Sequence, residues 1–166
     1  LDLLRHMHAT AEWRLHLSPR ESDLRRLVPG EINLRGTITG FADSSWGEPR
    51  CSAGHVIFYN AAPISFLSKR LTTTPQSTAE AEVLALARAA PTMVNMRDIM
   101  QAISGRRPAV ASVLATDNMA ASLLAHSAHS NKSVRHVALS VAFLRELVEA
   151  GTLSVCWIPT DKNPAD

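Results

Sequence analysis

Thr39-Gly-Phe-Ala-Asp43-Ser-Ser-Trp46 is the stretch that decides the fold, because it predicts a β-strand with one carboxylate at its C-terminal end. We place the first strand of the main domain at residues 37–43. After a turn that contains glycine and proline, residues 54–59 predict a second strand and residues 64–67 a third. Three short strands joined by tight connections predict an antiparallel meander.

Downstream of the meander, the hydrophobic period changes from that of a strand to that of a helix. Residues 81–100 are rich in Ala, Leu and Met and predict a long helix, with a kink or break expected at Pro91. The remaining elements are a strand at 110–116, a short helix at 119–126 capped by Asp117-Asn118, a helix from Val134 to Val148, a strand at 153–157 and the start of a helix near Asn163. This order predicts an α/β fold with a mixed sheet.

The composition is that of one globular domain. The chain has 166 residues, of which 46% are hydrophobic and 19% charged, so it can bury a core.

Cys51 and Cys156 lie far apart, which favours a reducing, intracellular compartment over a disulfide framework. No apolar run approaches the roughly 18 residues of a membrane helix, so we expect no membrane partner. The first residues do not form a signal peptide, and both ends are expected to continue into a longer protein.

Four acidic side chains occupy positions that suggest a shared site. Asp43 and Asp117 each close a predicted strand, Glu82 lies early in the long helix, and the last predicted helix is expected to return Asp166 to the same edge. Ligands bind outside the carboxyl ends of strands in such sheets. Four carboxylates repel one another unless cations neutralise them, and oxygen-only ligation favours Mg²⁺ or Mn²⁺ over zinc. Two such ions about 3.5–4 Å apart support phosphodiester hydrolysis.

Each of these acids has an ordinary interpretation when it is considered alone. Asp117 would be a helix N-cap, Glu82 a solvated helical acid, Asp43 a turn residue and Asp166 an acid at a helix start. Only the ordered set, on this pattern of elements, favours a metal-dependent nuclease.

The ordered motifs resemble the ribonuclease H domain of copia-like LTR-retrotransposon polyproteins. The resemblance covers nearly the whole chain, and its first part is similar to the end of a reverse transcriptase region. The segments that carry it are Gly40-Phe-Ala-Asp43-Ser-Ser-Trp46, Pro63-Ile-Ser65-Phe-Leu-Ser-Lys69-Arg70, Ser77-Thr-Ala-Glu80-Ala-Glu82, Asp117-Asn118-Met-Ala-Ala121, Lys132-Ser-Val-Arg135-His136-Val137 and Trp157-Ile-Pro159-Thr160 through Asp166.

The resemblance implies a ribonuclease H-like fold, a five-stranded mixed sheet with helices on both faces. It implies that residues 1–35 are a reverse transcriptase tail and connector, and that residues 36–166 are the nuclease domain, truncated in its last helix. The implied activity is cleavage of the RNA strand of RNA–DNA hybrids with two Mg²⁺ ions on Asp43, Glu82, Asp117 and Asp166. The implied partners are the hybrid and the reverse transcriptase region, in a cytoplasmic retrotransposon particle or the nucleus.

Two rival functions stay open at this stage. One is a catalytically silent domain of the same fold that binds hybrid or supports the polymerase. The other is a nuclease of the same fold that acts on DNA.

Several further side chains are candidates for nucleic-acid contact. Lys69, Arg70 and Arg135, and the pair Arg106-Arg107, could bind phosphates or be solvated surface charge. His136 could contact nucleic acid or serve the local structure. The hydroxyl of Ser44 could bond the 2′-hydroxyl of RNA. A zinc site at His126 and His129 is not favoured, because no other Cys or His lies nearby.

Overall fold

The computed structural model describes residues 37–45, 51–60, 62–127 and 137–166, and these form one five-stranded sheet with three helices. The predicted tail and connector therefore lie outside the described residues. The strands are β1 Ile38–Ser45, β2 Ser52–Tyr59, β3 Ala62–Arg70, β4 Ser112–Thr116 and β5 Leu153–Trp157. The helices are α1 Thr78–Ser104, α2 Met119–His126 and α3 Ala138–Glu149, with a 3₁₀ turn at Thr160–Lys162.

The sheet is mixed, in the order β3-β2-β1-β4-β5, which places β1 at its centre. The antiparallel meander of β1, β2 and β3 is confirmed, and β4 joins β1 in parallel, as β5 joins β4. β2 and β3 extend beyond the predicted apolar segments, since Ser52 still pairs with Arg70. Backbone pairing does not require apolar side chains, so the hydrophobic pattern alone underestimated these strands.

Helix α1 is continuous for 27 residues, so a break at Pro91 is wrong, while a kink there stays a prediction. Proline removes the hydrogen bond to the carbonyl of Ala87. Pro91 itself is exposed and Ala87 is partly exposed, so water can solvate that carbonyl. Buried residues on both sides of the proline, Ala89, Ala90 and Met93, hold the helix against the sheet.

The main core lies between one face of the sheet and the three helices. Gly40 of β1 allows helix α1 to pack close to the sheet. A Cβ at this position would lie 2.6 Å from the sulfur of Met93 and 3.1 Å from Cδ1 of Leu114. A smaller cluster of Phe41, Ala115 and Ile158 covers the second face, where Phe41 meets Phe58 edge to face with ring centroids 5.7 Å apart. The described helices thus all pack on the first face, and the expected helices on the second face are not found among the described residues.

The predicted helix near Asn163 does not form within the described residues. The chain makes a 3₁₀ turn at Thr160–Lys162 and continues without helical structure to Asp166. The side chain of Asn163 determines this path, because its Nδ2 donates to the carbonyl of Ala42 over 3.2 Å and its Oδ1 accepts from the amide of Ala165 over 3.2 Å. A buried amide therefore fixes the segment against β1.

At the other end of the sheet, Arg97 holds the connection between α1 and β4. Its side chain is 9% exposed. Its Nη1 donates to the carbonyl of Val110 over 2.8 Å and to Oγ of Ser112 over 2.9 Å, and its Nη2 donates to the carbonyl of Pro108 over 3.4 Å. All three acceptors are neutral, so this buried cation serves as a clamp on backbone rather than as half of an ion pair.

Replacing Gly40 with alanine should destabilise the fold. The added methyl group has no room beneath buried Met93, so we expect a loss of about 1–3 kcal/mol in the free energy of unfolding. Gly54→Ala is the matched control, because its Cβ would meet nothing closer than 3.5 Å. Urea denaturation measures both variants, and equal stability of the two would contradict the proposed packing at Gly40.

Candidate metal centre

The parallel pairing of β1 with β4 brings two acids to one edge of the sheet. Phe41 pairs with Ala115, and Asp43 and Asp117 each follow by two residues. Helix α1 brings Glu82 to the same edge. One ligand oxygen from each of Asp43, Glu82 and Asp117 lies within 4.8 Å of the other two. Three of the four predicted acids therefore converge.

The start of α1 explains why Glu82, and not Glu80, reaches this cluster. The Oγ of Ser77, the N-cap, accepts from the amide of Glu80 over 3.2 Å, and the Glu80 carboxylate accepts from the amide of Gln76 over 2.7 Å. This reciprocal arrangement is close to a capping box. Glu80 is thereby used in helix initiation, which leaves Glu82 as the acid directed to the sheet.

Hydrogen bonds from two strands fix the Glu82 carboxylate. Its Oε1 accepts from the amide of Ser44 over 3.0 Å and from the Ser44 hydroxyl over 2.6 Å. Its Oε2 accepts from Oγ1 of Thr116 over 3.1 Å. The interpretation of Glu82 as a solvated helical acid is therefore wrong, since only 5% of the residue is exposed.

Asp117 is not the N-cap of α2. That role belongs to Asn118, whose side chain accepts from the amide of Ala121 over 3.0 Å. The backbone carbonyl of Asp117 accepts from the indole of Trp157 over 2.8 Å, which ties this junction to β5. The Asp117 carboxylate is consequently available to the acidic cluster. The sequence did not predict a supporting role at this site for Trp157 or Thr116, because both follow ordinary strand patterns.

The local electrostatics favour a bound cation. Burial raises the pKa of Asp43, and the charges of Asp117 and Asp166 raise it further. Burial also raises the pKa of Glu82, against the hydrogen bonds from Ser44 and Thr116. Three half-buried or buried carboxylates at this separation repel one another when ionised. A divalent cation removes that repulsion, and the oxygen-only donor set fits Mg²⁺ or Mn²⁺.

Asp166 lies beside the three-acid cluster but outside the set whose oxygens meet within 4.8 Å. Its charge acts on Asp43, and both residues line one groove together with Gly54 and Ser68. The return of Asp166 to this edge depends on Asn163, whose side chain is bonded to β1 as described above. In the sequence, Asn163 is equally typical of a helix start, so its bond to β1 could not be recognised from that pattern. The role of Asp166 as a ligand stays a prediction.

Three of the predicted nucleic-acid contacts, Ser44, Lys69 and Arg70, lie at the same edge. Through the strand registers, Ser44 pairs with Ala53 and Ala53 with Lys69, while Ser45, Ser52 and Arg70 form the next row. Adjacent strands lie about 4.8 Å apart, so the backbone of Lys69 is about 10 Å from that of Ser44. Arg135 and His136 lie outside the described residues. The Ser44 hydroxyl already donates to Glu82, which favours a positioning role over a contact with RNA.

A zinc site at His126 has no support in the described residues. The Nε2 of His126 lies 2.8 Å from the carbonyl of Val155, and His129 lies outside the described residues. None of the described helices has both the length and the apolar composition needed to cross a membrane.

Comparison with solved structures defines the fold as that of ribonuclease H. LC11-RNase H1 isolated from compost superposes with a TM-score of 0.58 at 18% identity, over 77% of this chain and 88% of that one. RNase H1 from Halobacterium salinarum gives a TM-score of 0.56 at 15% identity, over 78% of this chain and 91% of that one. The five-stranded ribonuclease H-like fold predicted from the sequence is confirmed.

Sequence relatives then connect the chain with retrotransposon polyproteins. The Ty1-DR5 Gag-Pol polyprotein of Saccharomyces cerevisiae is 25% identical over 132 residues, and the RE1 Pol polyprotein of Arabidopsis thaliana is 24% identical over 134 residues. Each match covers 78% of this chain but only 8% and 9% of the two relatives. No family model matches the chain. The resemblance to a retrotransposon ribonuclease H domain is confirmed.

Loss of the Ser44 hydroxyl should raise the pKa of Glu82, because that carboxylate loses its 2.6 Å donor. Ser44→Ala tests this in metal-free protein, with the carboxyl carbon of Glu82 followed by NMR as pH is varied. Ser45→Ala is the matched control, since the Ser45 hydroxyl bonds Ser52 instead. An unchanged Glu82 titration in Ser44→Ala would contradict the observed hydrogen bond.

Neutralising Asp43 should stabilise the metal-free protein at neutral pH. Folding raises the pKa of the Asp43 carboxyl group. The stability that this group contributes is therefore complete below its unfolded pKa and is lost as pH rises through its folded pKa. Asp43→Asn removes the ionised form. Because solvent screens a half-buried group, we expect a rise in Tm of about 2–4 °C in EDTA at pH 7.5.

Differential scanning calorimetry with and without Mg²⁺ provides the measurement. Mg²⁺ should raise the Tm of the unsubstituted protein and have little effect on Asp43→Asn. Asp161→Asn, which removes an exposed acid in the 3₁₀ turn, controls for net charge. A lower Tm for Asp43→Asn in EDTA would show that Asp43 stabilises the fold and is not held at an electrostatic cost.

Proposed function

We propose that this chain is an endoribonuclease that hydrolyses the RNA strand of RNA–DNA hybrids during reverse transcription, with water as the nucleophile. The observation that carries the proposal is the convergence of Asp43, Glu82 and Asp117 within 4.8 Å at one edge of a ribonuclease H fold. A domain that only binds a polyanion gains nothing from acids gathered beside it.

The proposed ligands of two Mg²⁺ ions are Asp43, Glu82, Asp117 and Asp166, with Mn²⁺ as a substitute. Such ions would supply activation of the attacking water and stabilisation of the leaving oxygen. Asp43 interacts electrostatically with both Asp117 and Asp166, because the charges of these two acids raise its pKa. We therefore assign Asp43 the shared position and expect it to be the least replaceable acid.

The protein groups around these acids have distinct tasks. Ser44 and Thr116 hold the Glu82 carboxylate from two neighbouring strands, which fixes a ligand before any cation arrives. Asn163 holds the segment that ends at Asp166. A preset ligand geometry lowers the reorganisation needed on binding.

The substrate assignment is supported by two of the related structures. A foamy viral protease–reverse transcriptase in complex with RNA/DNA hybrid matches 93% of this chain and 21% of that one, at 11% identity and a TM-score of 0.55. LC11-RNase H1 has also been solved in complex with RNA/DNA hybrid, and matches with a TM-score of 0.52 at 15% identity. In this chain, Lys69 and Arg70 lie on the acidic edge and are proposed to contact the hybrid's phosphates. The proposed partner within the polyprotein is its reverse transcriptase region.

A strand-labelled hybrid cleavage assay with Mg²⁺ tests the proposal. The unsubstituted chain should cut the RNA strand only, and Asp43→Asn should reduce the rate by about 10³-fold, the effect of removing a principal electrostatic group. Ser45→Ala, two residues away on the same strand, should keep its activity. EDTA should abolish cleavage.

The other outcomes separate the rival functions. Hybrid binding without Mg²⁺-dependent cleavage by the unsubstituted chain would identify a silent, hybrid-binding domain. Equal cleavage of duplex DNA would identify a nuclease with a different substrate. Full activity of Asp43→Asn would contradict the assignment of the metal centre itself.

A further inference from the structure

A second polar site lies at the opposite end of the sheet from the acidic cluster. A pocket of about 160 Å³ opens where the start of β1 and β4 meets the end of α1. Since one water occupies about 30 Å³ of liquid, the pocket has room for several waters or for a small oxyanion. Three arginines line it, Arg97, Arg106 and Arg107, and its described lining contains no Asp or Glu.

Arg97 is a cationic group without an anionic partner in the described residues. Its three hydrogen bonds go to Val110, Ser112 and Pro108, all neutral. A guanidinium has five N–H donors, so the donor on Nε and one on Nη2 find no acceptor in the described part of the chain. Among the described residues only Oγ1 of Thr39 is a buried side-chain atom without a partner, so the unpaired donor on Nε of Arg97 is not enclosed by protein and can be reached by an acceptor.

The surroundings of Arg97 disfavour its positive charge. Burial lowers the pKa of Arg97 and the charge of Arg107 lowers it further, while Asp98 acts in the opposite direction. Asp98 is exposed and makes no ion pair with Arg97 in the described structure. The side chains of Arg106 and Arg107 likewise have no hydrogen-bonding or ionic partner among the described residues, so their charges are not neutralised locally.

Neutral polar groups complete the pocket. The lining includes Tyr59 and Ser104, beside the three cations. Arg106 lies in a tight turn, where its amide donates to Oγ of Ser104 over 3.2 Å and its carbonyl accepts from the same hydroxyl over 3.0 Å. The turn follows Gly105, whose φ of 67° is the left-handed conformation that ends α1. The helix cap therefore positions the two arginines at the pocket.

We propose that this pocket binds a phosphate group, through Arg97 at its base and Arg106 and Arg107 at its rim. Guanidinium groups bind phosphate oxygens with paired, charge-assisted hydrogen bonds, which suits tetrahedral oxyanions. The site is separate from the proposed metal centre, because β1 is eight residues long and the two sites lie at its opposite ends. The phosphate belongs either to a nucleic-acid backbone or to a small phosphate compound, and the chemistry of recognition is the same.

Titration with inorganic phosphate in EDTA tests the proposal without involving the metal centre. In ¹H–¹⁵N NMR spectra, phosphate should shift the Nε–H signal of Arg97 and the amides of residues 104–112 in a saturable way, and chloride at equal ionic strength should not. Arg106→Gln with Arg107→Gln should weaken phosphate binding about tenfold, because two charged donors are lost. Arg88→Gln, which removes an arginine from the middle of α1, should leave the affinity unchanged.

A nucleic-acid arm identifies the source of the phosphate. Binding of a DNA duplex is measured in EDTA as a function of salt. If the backbone occupies the pocket, the double variant should reduce the slope of log K against log salt by about 1.8, or about 0.9 for each lost contact. An unchanged slope together with weakened phosphate binding assigns the site to a small phosphate compound.

Absence of saturable phosphate binding, or equal affinity in the double variant and the unsubstituted chain, overturns the proposal. Because the substitutions are at exposed residues, loss of the fold is not expected, and the unperturbed amides of β2 and β3 serve as the check.

Discussion

The close approach of α1 to β1 at Gly40 is the constraint on which the acidic site depends. Met93 packs against Gly40, where an added Cβ would lie 2.6 Å from its sulfur and force that side chain to shift. Glu82 lies eleven residues before Met93, which is three helical turns, so both side chains are on the same face of α1. Fixing Met93 on the sheet therefore places Glu82 at the end of β1, where Ser44 binds it. Parallel pairing of β1 with β4 then supplies Asp117 at the same edge.

Most of the sheet could be predicted from the sequence, because its strands combine apolar alternation with clear turns. The meander, the two later strands and α2 follow from these local patterns. The convergence of Asp43 and Asp117 was also predictable, since acids at the carboxyl ends of parallel neighbours must share an edge. Local patterns could not decide whether Glu80 or Glu82 is the third acid of the cluster, because both lie in the same helical turn. The resemblance to retrotransposon ribonuclease H domains is what identifies Glu82.

The features that escaped prediction depend on tertiary contacts. The exposure of Pro91 decides that α1 continues, and exposure cannot be derived from the helix sequence alone. The Asn163 side chain donates a hydrogen bond to the carbonyl of a residue 121 positions earlier, so no local sequence pattern predicts the path of the last segment. The clamp of Arg97 on the α1–β4 connection is hidden for the same reason. Each of these features depends on solvent exposure or on a contact between separate elements, which the local sequence does not specify.

The most direct test of the account is a crystal structure of the chain grown with Mn²⁺, with anomalous differences collected at the manganese edge. We expect a strong anomalous peak bounded by Asp43, Glu82 and Asp117, with a second peak on the side of Asp43 that faces Asp166. The Glu82 carboxylate should keep its bonds to Ser44 and Thr116, because these position the ligand before the ion binds. Saturating Mn²⁺ with no peak at this edge would contradict the central claim that the three acids form a metal centre.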